Sequence, residues 1–83
     1  MKQIWKYELQ ITDDQYIEMP GRAKPLSVGV QRGVPCLWVE VNPGTETETI
    51  HIKIYSTGNP LFADDLRFLG TFQLGGFVGH VFA

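Results

Sequence analysis

A single cysteine, Cys36, stands in a chain of 83 residues, so no disulfide can form within it. Its setting, Val34-Pro35-Cys36-Leu37-Trp38-Val39, is apolar and β-branched, which predicts a buried structural thiol in a strand and suits a reducing compartment. Histidine is nearly as scarce. His51 and His80 are the two present, and no spacing between them and the carboxylates matches a recognised metal-ligand pattern, so neither a metal nor a cofactor is expected. No apolar run approaches the length of a membrane span. The amino-terminal run Met1-Lys2-Gln3-Ile4-Trp5-Lys6-Tyr7-Glu8 alternates instead of forming the unbroken apolar segment of a signal peptide, so the expected location is the cytoplasm, without a membrane partner. Positive charge is limited too: seven Lys and Arg against nine Asp and Glu leave a formal net charge of −2, which removes any general attraction for a nucleic-acid backbone. Internal repeats, low-complexity tracts, heptads and helical patterns longer than a turn or two are absent.

What the chain does have is apolar alternation. Hydrophobic residues make up 43% of it, with two Trp, three Tyr and five Phe, enough for a folded single domain over residues 1–83. A chain this short buries only roughly 60 to 65% of the surface it exposes when unfolded, so support from a second copy in a homo-oligomer is expected. Between Ile4 and Ile11, Trp5, Tyr7, Leu9 and Ile11 share one parity and Lys6, Glu8 and Gln10 the other, the period of a half-buried strand. Asp13-Asp14 punctuates, Gln15 to Met19 offers a short strand, and Pro20-Gly21 closes it with a tight turn.

Residues 24–41 form a hairpin candidate around Arg32-Gly33, with Leu26, Val28 and Val30 on one face answering Leu37, Val39 and Val41. A two-residue turn pairs Ser27 with Trp38 and Gly29 with Cys36, whereas a glycine bulge would shift that register by one. Asn42-Pro43-Gly44 has proline and glycine where a type II turn wants them, and Thr45 to Thr49 alternates without apolar residues, as a solvated loop does. Ile50, Ile52 and Ile54 interleave with His51, Lys53 and Tyr55 as a strand with one wet face. Ser56-Thr57-Gly58-Asn59-Pro60 stops it. Leu61 to Leu66 fits one helical turn or an irregular crossover, with Asp64-Asp65 exposed either way.

Arg67 to Ala83 forms a second hairpin, turning on Gly75-Gly76. A two-residue loop sets Leu74 opposite Phe77, Phe72 opposite Gly79, Thr71 opposite His80 and Gly70 opposite Val81. Six or seven strands, glycine-bearing and joined by close turns, predict an all-β fold: a small antiparallel β-sandwich or a partly closed barrel.

The polar residues outline few chemistries. Successive amides around Gly58, with the Thr57 hydroxyl and Asn59, could make a concave anion site, with Lys53, Arg67 and Arg32 as sources of charge. The competing reading is an ordinary strand-ending turn in which Asn59 takes a left-handed conformation. His51 shares a strand face with Lys53 and Tyr55, and His80 shares one with Thr71 and Gln73, and such positions could line a pocket; equally, His80 could be hydrogen-bonded within the sheet and His51 face water. Trp5 and Tyr7 are the aromatics expected to be exposed, where they could stack on a planar ligand, and Trp38 is expected to pack against the sheet. A hydrolase using either histidine would need a carboxylate or metal that the spacing does not put beside it.

Met19-Pro20-Gly21-Arg22-Ala23-Lys24, Val34-Pro35-Cys36-Leu37-Trp38, Ile54-Tyr55-Ser56-Thr57-Gly58-Asn59-Pro60, and Leu69-Gly70-Thr71-Phe72-Gln73 with Gly75-Gly76 and His80-Val81-Phe82 together resemble a domain-of-unknown-function family of small tailed-phage and prophage proteins. Asn59 stands where that family's threonine-glycine-histidine-proline turn has histidine, and Gly79 where a bulkier residue is usual. The resemblance implies a phage origin, a single β-domain and the host cytoplasm, and supplies no activity. Combined with the residues above, the expectation is a non-enzymatic accessory protein that counters host defence by sequestering a nucleotide-type immune second messenger at the interfaces of a homo-oligomer, through Thr57, Gly58, Asn59, Lys53, Arg67, His80, Tyr55 and Trp5. The alternatives are a protein inhibitor that presents the acidic Gly44–Thr49 loop to a host defence enzyme, and a minor virion or assembly component that adds a β-edge to a partner.

Overall fold

A computed structural model describes residues 1–62 and 65–83, and within them the chain forms seven strands and no helix. These are β1 (Gln3–Glu8), β2 (Asp14–Pro20), β3 (Lys24–Gln31), β4 (Val34–Val41), β5 (Thr47–Ser56), β6 (Phe68–Leu74) and β7 (Phe77–Phe82). All neighbours are antiparallel, in a three-stranded sheet of order β1-β4-β3 and a four-stranded sheet of order β2-β5-β7-β6. The fold is a sandwich, not a closed barrel: each sheet keeps two edges and turns its apolar parity inward. Leu37, Val39 and Val41 from one layer meet Ile52, Ile54, Phe72 and Val81 from the other, with Leu9 and Met19 completing the buried core.

Both hairpins have the registers that two-residue turns impose. Gln31 pairs with Val34 across Arg32 (φ 52°) and Gly33 (φ 77°), the two left-handed residues of a type I′ turn, so the non-glycine Arg32 is carried in a conformation that costs it energy. At the other hairpin Gly75 alone is left-handed (φ 59°), as in a type II′ turn. Phe72 pairs with Gly79, and a Cβ on Gly79 would lie 2.5 Å from the Phe72 ring, so the ring packs directly over glycine backbone.

Several boundaries differ from the sequence expectation. A bulge between Pro25 and Ser27 takes Leu26 off the inner face, leaving it 44% exposed; Val30 is exposed as well, and Val28 is the residue of that trio that packs against the core. β5 begins at Thr47, so three of the five residues of the expected solvated loop are strand: Thr47, Glu48 and Thr49 pair with Pro20, Met19 and Glu18. Thr47, Glu48 and Thr49 are themselves exposed, and the burial at this end comes from Met19 and Pro20 on the partner strand. Thr45 donates its N–H to Asn42 C=O (3.0 Å) without a left-handed Gly44, which makes this turn type I instead of type II. The Asn42 side chain, accepting from the Gly44 N–H at 3.2 Å, holds that geometry. Asp14 belongs to a strand, not to a punctuating turn. Asp65 is exposed as expected, while the expectation for Asp64, and part of the Leu61–Leu66 alternatives, lie outside the described residues.

Cys36 is fully buried, yet it points away from the core, on the outer face of β4. Beside it Trp38 lies over Gly29, whose absent Cβ would be 3.5 Å from the ring, and Lys6 Nζ donates to Gln31 Oε1 (2.6 Å) across the sheet.

Candidate functional site

The alternation that buries Ile50, Ile52 and Ile54 turns His51, Lys53 and Tyr55 outward, and register then decides their neighbours. Tyr16 of β2 pairs with His51, Asp14 with Lys53, and His80 of β7 with Tyr55. The outer face of the four-stranded sheet therefore carries a row of aromatic and charged groups. Tyr16 and His51 stack with centroids 4.8 Å apart and planes 15° from parallel. Tyr55 meets Phe82 edge-on at 5.6 Å, and Phe82 meets Phe68 at 5.5 Å.

Asp14 organises the charged part. Its Oδ1 accepts from Lys53 Nζ at 2.8 Å and from His51 Nε2 at 2.6 Å. The Lys53 ammonium, and then the His51 ring, hold the Asp14 carboxyl below its ordinary value, and the bond to Asp14 raises Lys53 in turn. Lys53 Nζ also lies 5.7 Å from the centroid of Tyr55. A carboxylate thus does stand beside one histidine, contrary to the expectation from spacing, because β2 and β5 pair across a long stretch of chain. His51 is half-buried by its stacking partner instead of simply facing water.

The Ser56–Pro60 turn is closed by Asn59 N–H donating to Ser56 C=O at 3.2 Å, with Gly58 in the left-handed position (φ 94°), not Asn59. That is a type II turn. Three of the groups expected for an anion are engaged: the Asn59 backbone amide closes the turn, the Asn59 side-chain amide donates to Ser56 Oγ at 2.6 Å, and the Thr57 hydroxyl meets His80 Nε2 at 2.8 Å. Thr71 Oγ1 meets His80 Nδ1 at 2.9 Å, so both ring nitrogens are held by hydroxyls able to donate or accept.

Between this turn and the sheet lies a recess of 240 Å³ lined by Asp14, Lys53, Tyr55, Asn59, Pro60 and Phe62, among others. The Tyr55 hydroxyl accepts from the Phe62 N–H at 3.1 Å, which folds the segment after the turn back over the strand. Lys53, Tyr55 and Asn59 are thereby brought into one site, with Thr57, Gly58 and His80 beside it. Arg67 is exposed at the start of the last hairpin, where its backbone exchanges hydrogen bonds with Ala83 (2.8 and 2.9 Å). Trp5 is not part of this group: it belongs to β1 in the other sheet, on the inward parity opposite Val39, 37% exposed. Tyr7 is half-buried against the core, and burial pushes its phenol up.

Asp14, Tyr16, Phe62 and Phe82 are site residues that sequence reasoning missed. Parity alone would have put Tyr16 and Asp14 on one face, but not that face beside His51 and Lys53. A larger cleft, 530 Å³, lies at the other end between the 20–23 turn and the 42–48 segment. It is lined by Lys2 and Arg22 against Glu40, Glu46 and Glu48, so the acidic loop comes with its own cations and no aromatic ring. Among the described residues no three His, Cys, Asp or Glu converge as a metal site.

Neither a curated protein nor a solved structure matches the chain. The model of a protein family does, over its whole length, residues 1–83, and the chain therefore belongs to the family described as Domain of unknown function (DUF7352).

Proposed function

We propose that this protein is a non-enzymatic binding protein that holds a nucleotide-type small molecule on the outer face of its four-stranded sheet. The observation that carries the reading is the recess in which Lys53, Tyr55, Asn59 and Phe62 meet: a cation, two aromatic rings and a side-chain amide around one small cavity. At 240 Å³ it is below the roughly 300 Å³ at which small-molecule pockets begin, so it takes one ring of the ligand while the remainder lies across Tyr55, His80 and Thr71. Tyr55 and Phe62 supply stacking surface, and Lys53 supplies a contact for phosphate. Binding is favoured over turnover because His80 is fastened at both nitrogens and the Asp14–His51 pair is shared with Lys53 on an open sheet face.

In the setting implied by resemblance to small phage proteins, the ligand is an immune second messenger of the infected cell, and holding it unchanged counters host defence in the host cytoplasm. The test is a panel of cyclic dinucleotides, cyclic oligonucleotides and ADP-ribose derivatives, followed by melting temperature and by recovery of the ligand after denaturation. One of them raises the melting temperature and is recovered intact. Lys53→Ala abolishes the shift while leaving the unliganded melting temperature within a few degrees, and Asp14→Asn, which frees Lys53 from its carboxylate, enlarges it. No shift across the panel, or a ligand recovered as a cleaved product, overturns the reading.

A further inference from the structure

We infer that the free edge of β1 is a homodimer interface, where β1 pairs antiparallel with β1 of a second copy and fuses the two three-stranded sheets into one. Leu9 N–H donates to Pro35 C=O at 2.8 Å, which makes Leu9 and Pro35 a hydrogen-bonded pair in the β1–β4 register. Such pairs alternate along an antiparallel ladder. Gln3, Trp5 and Tyr7 therefore spend their N–H and C=O groups on β4, while Ile4, Lys6 and Glu8 direct theirs outward, with no backbone partner among the described residues.

The other three edges carry features that blunt them. In β2, Ile54 N–H donates to Asp13 C=O at 3.2 Å, so the even-numbered residues face outward, and Pro20 among them has no N–H to offer. β3 has Pro25 and the bulge at Leu26, and β6 is bulged at Leu69. β1 has neither proline nor bulge, and its Ile4 is 65% exposed. An edge whose outward N–H and C=O groups are interrupted by neither proline nor a bulge is a template for another strand, and Lys6 and Glu8 on it restrict which strand that can be.

Charge identifies the occupant and the register. Facing residues of an antiparallel pair share a sheet face, so even residues oppose even ones. Centring the two-fold axis on Ile4 sets Lys2 against Lys6 of the other copy, and centring it on Lys6 sets that lysine against itself. Centring it on Trp5 sets Lys2 against Glu8 twice by symmetry and Ile4 against the aliphatic stem of Lys6. Trp5 then meets its own copy at a non-hydrogen-bonded position, where side chains come closest. Centring the axis on Tyr7 also sets opposite charges together, Lys6 against Glu8, but overlaps the strands only from Trp5 to Leu9, whereas the Trp5 register runs from Lys2 to Glu8 and is the longer self-complementary pairing. Lys2 lies 3.3 Å from Glu40 of its own chain, but as an exposed pair that contact is readily exchanged. The interface is on the sheet opposite the proposed ligand face, so the two readings stand or fall separately.

The experiment is molecular mass by light scattering and sedimentation over a dilution series, with ligand absent. The wild-type chain is expected to dimerise. Glu8→Lys or Lys2→Glu alone weakens the dimer roughly tenfold, since two attractive pairs become repulsive, and Lys2→Glu with Glu8→Lys restores it. Lys6→Pro, which removes an outward N–H and leaves the β1–β4 ladder whole, gives a monomer. A wild-type monomer at every concentration, a dimer indifferent to the single reversals, or a double reversal that fails to recover it overturns the inference.

Discussion

Asp14 shows how one exposed side chain can tie several strands' worth of surface together. Its carboxylate is bonded by Lys53 and His51, and His51 is stacked on Tyr16, so the group at the start of β2 fixes three outward-facing neighbours. The bonds hold Asp14 below its ordinary value of 3.8, chiefly through Lys53. A carboxyl depressed in the folded state contributes stability that is fully present above its unfolded value and is lost as pH falls through the folded one. Thermal melts taken from neutral pH into the acid range should therefore show the Asp14→Asn variant losing less stability on acidification than wild type, with the difference confined to pH below about 4. A pair of parallel acid limbs would mean that the carboxylate is not coupled to folding.

At the scale of the element, the hairpins are where backbone geometry is specific enough to separate two adjacent glycines. Gly75 is left-handed and Gly76 is not, and neither has an atom within 4 Å of where a Cβ would be, so substitution tests conformation alone. Gly75→Ala is expected to cost about 1–2 kcal/mol, and Gly76→Ala to stabilise by about 0.4–1 kcal/mol by restricting the unfolded chain, both read from urea melts. Equal effects at the two positions would mean that the turn is not type II′. The same locality explains what was legible. Leu74–Phe77, Phe72–Gly79, Thr71–His80, Ser27–Trp38 and Gly29–Cys36 all follow from counting outward from a two-residue loop. The bulge at Leu26 did not follow, since nothing in Pro25-Leu26-Ser27 forces the extra residue. Nor did the strand character of Thr47–Thr49, because that end of β5 is held by β2 and not by burial of its own side chains.

Across the whole molecule, pairings between distant segments decide the site, and these were illegible. Both Asp14 beside His51 and the separation of Trp5 from Lys53 depend on which strands share a sheet, a choice made by the global burial of Leu37, Val39, Ile52, Ile54, Phe72 and Val81. β3 of one sheet packs against β6 of the other, and Gly70 is a close contact between them: a Cβ there would lie 2.9 Å from Val28 Cβ and 3.1 Å from Val28 Cγ2. Strand propensity favours alanine over glycine by about 0.5–1 kcal/mol, so an isolated hairpin would gain from Gly70→Ala. In the sandwich the added methyl must push β3 away, which we expect to reverse the sign and destabilise by about 1–3 kcal/mol. Removing the whole opposing side chain tests the cause. In Val28→Gly with Gly70→Ala the second substitution should cost at least about 1 kcal/mol less than it does in wild type, a coupling that chemical denaturation of wild type, both single variants and the double variant measures directly. Additive effects would place the strain elsewhere than in the closure of β3 on β6, and with it the reason why this glycine, unlike Gly75, is fixed by packing and not by backbone conformation.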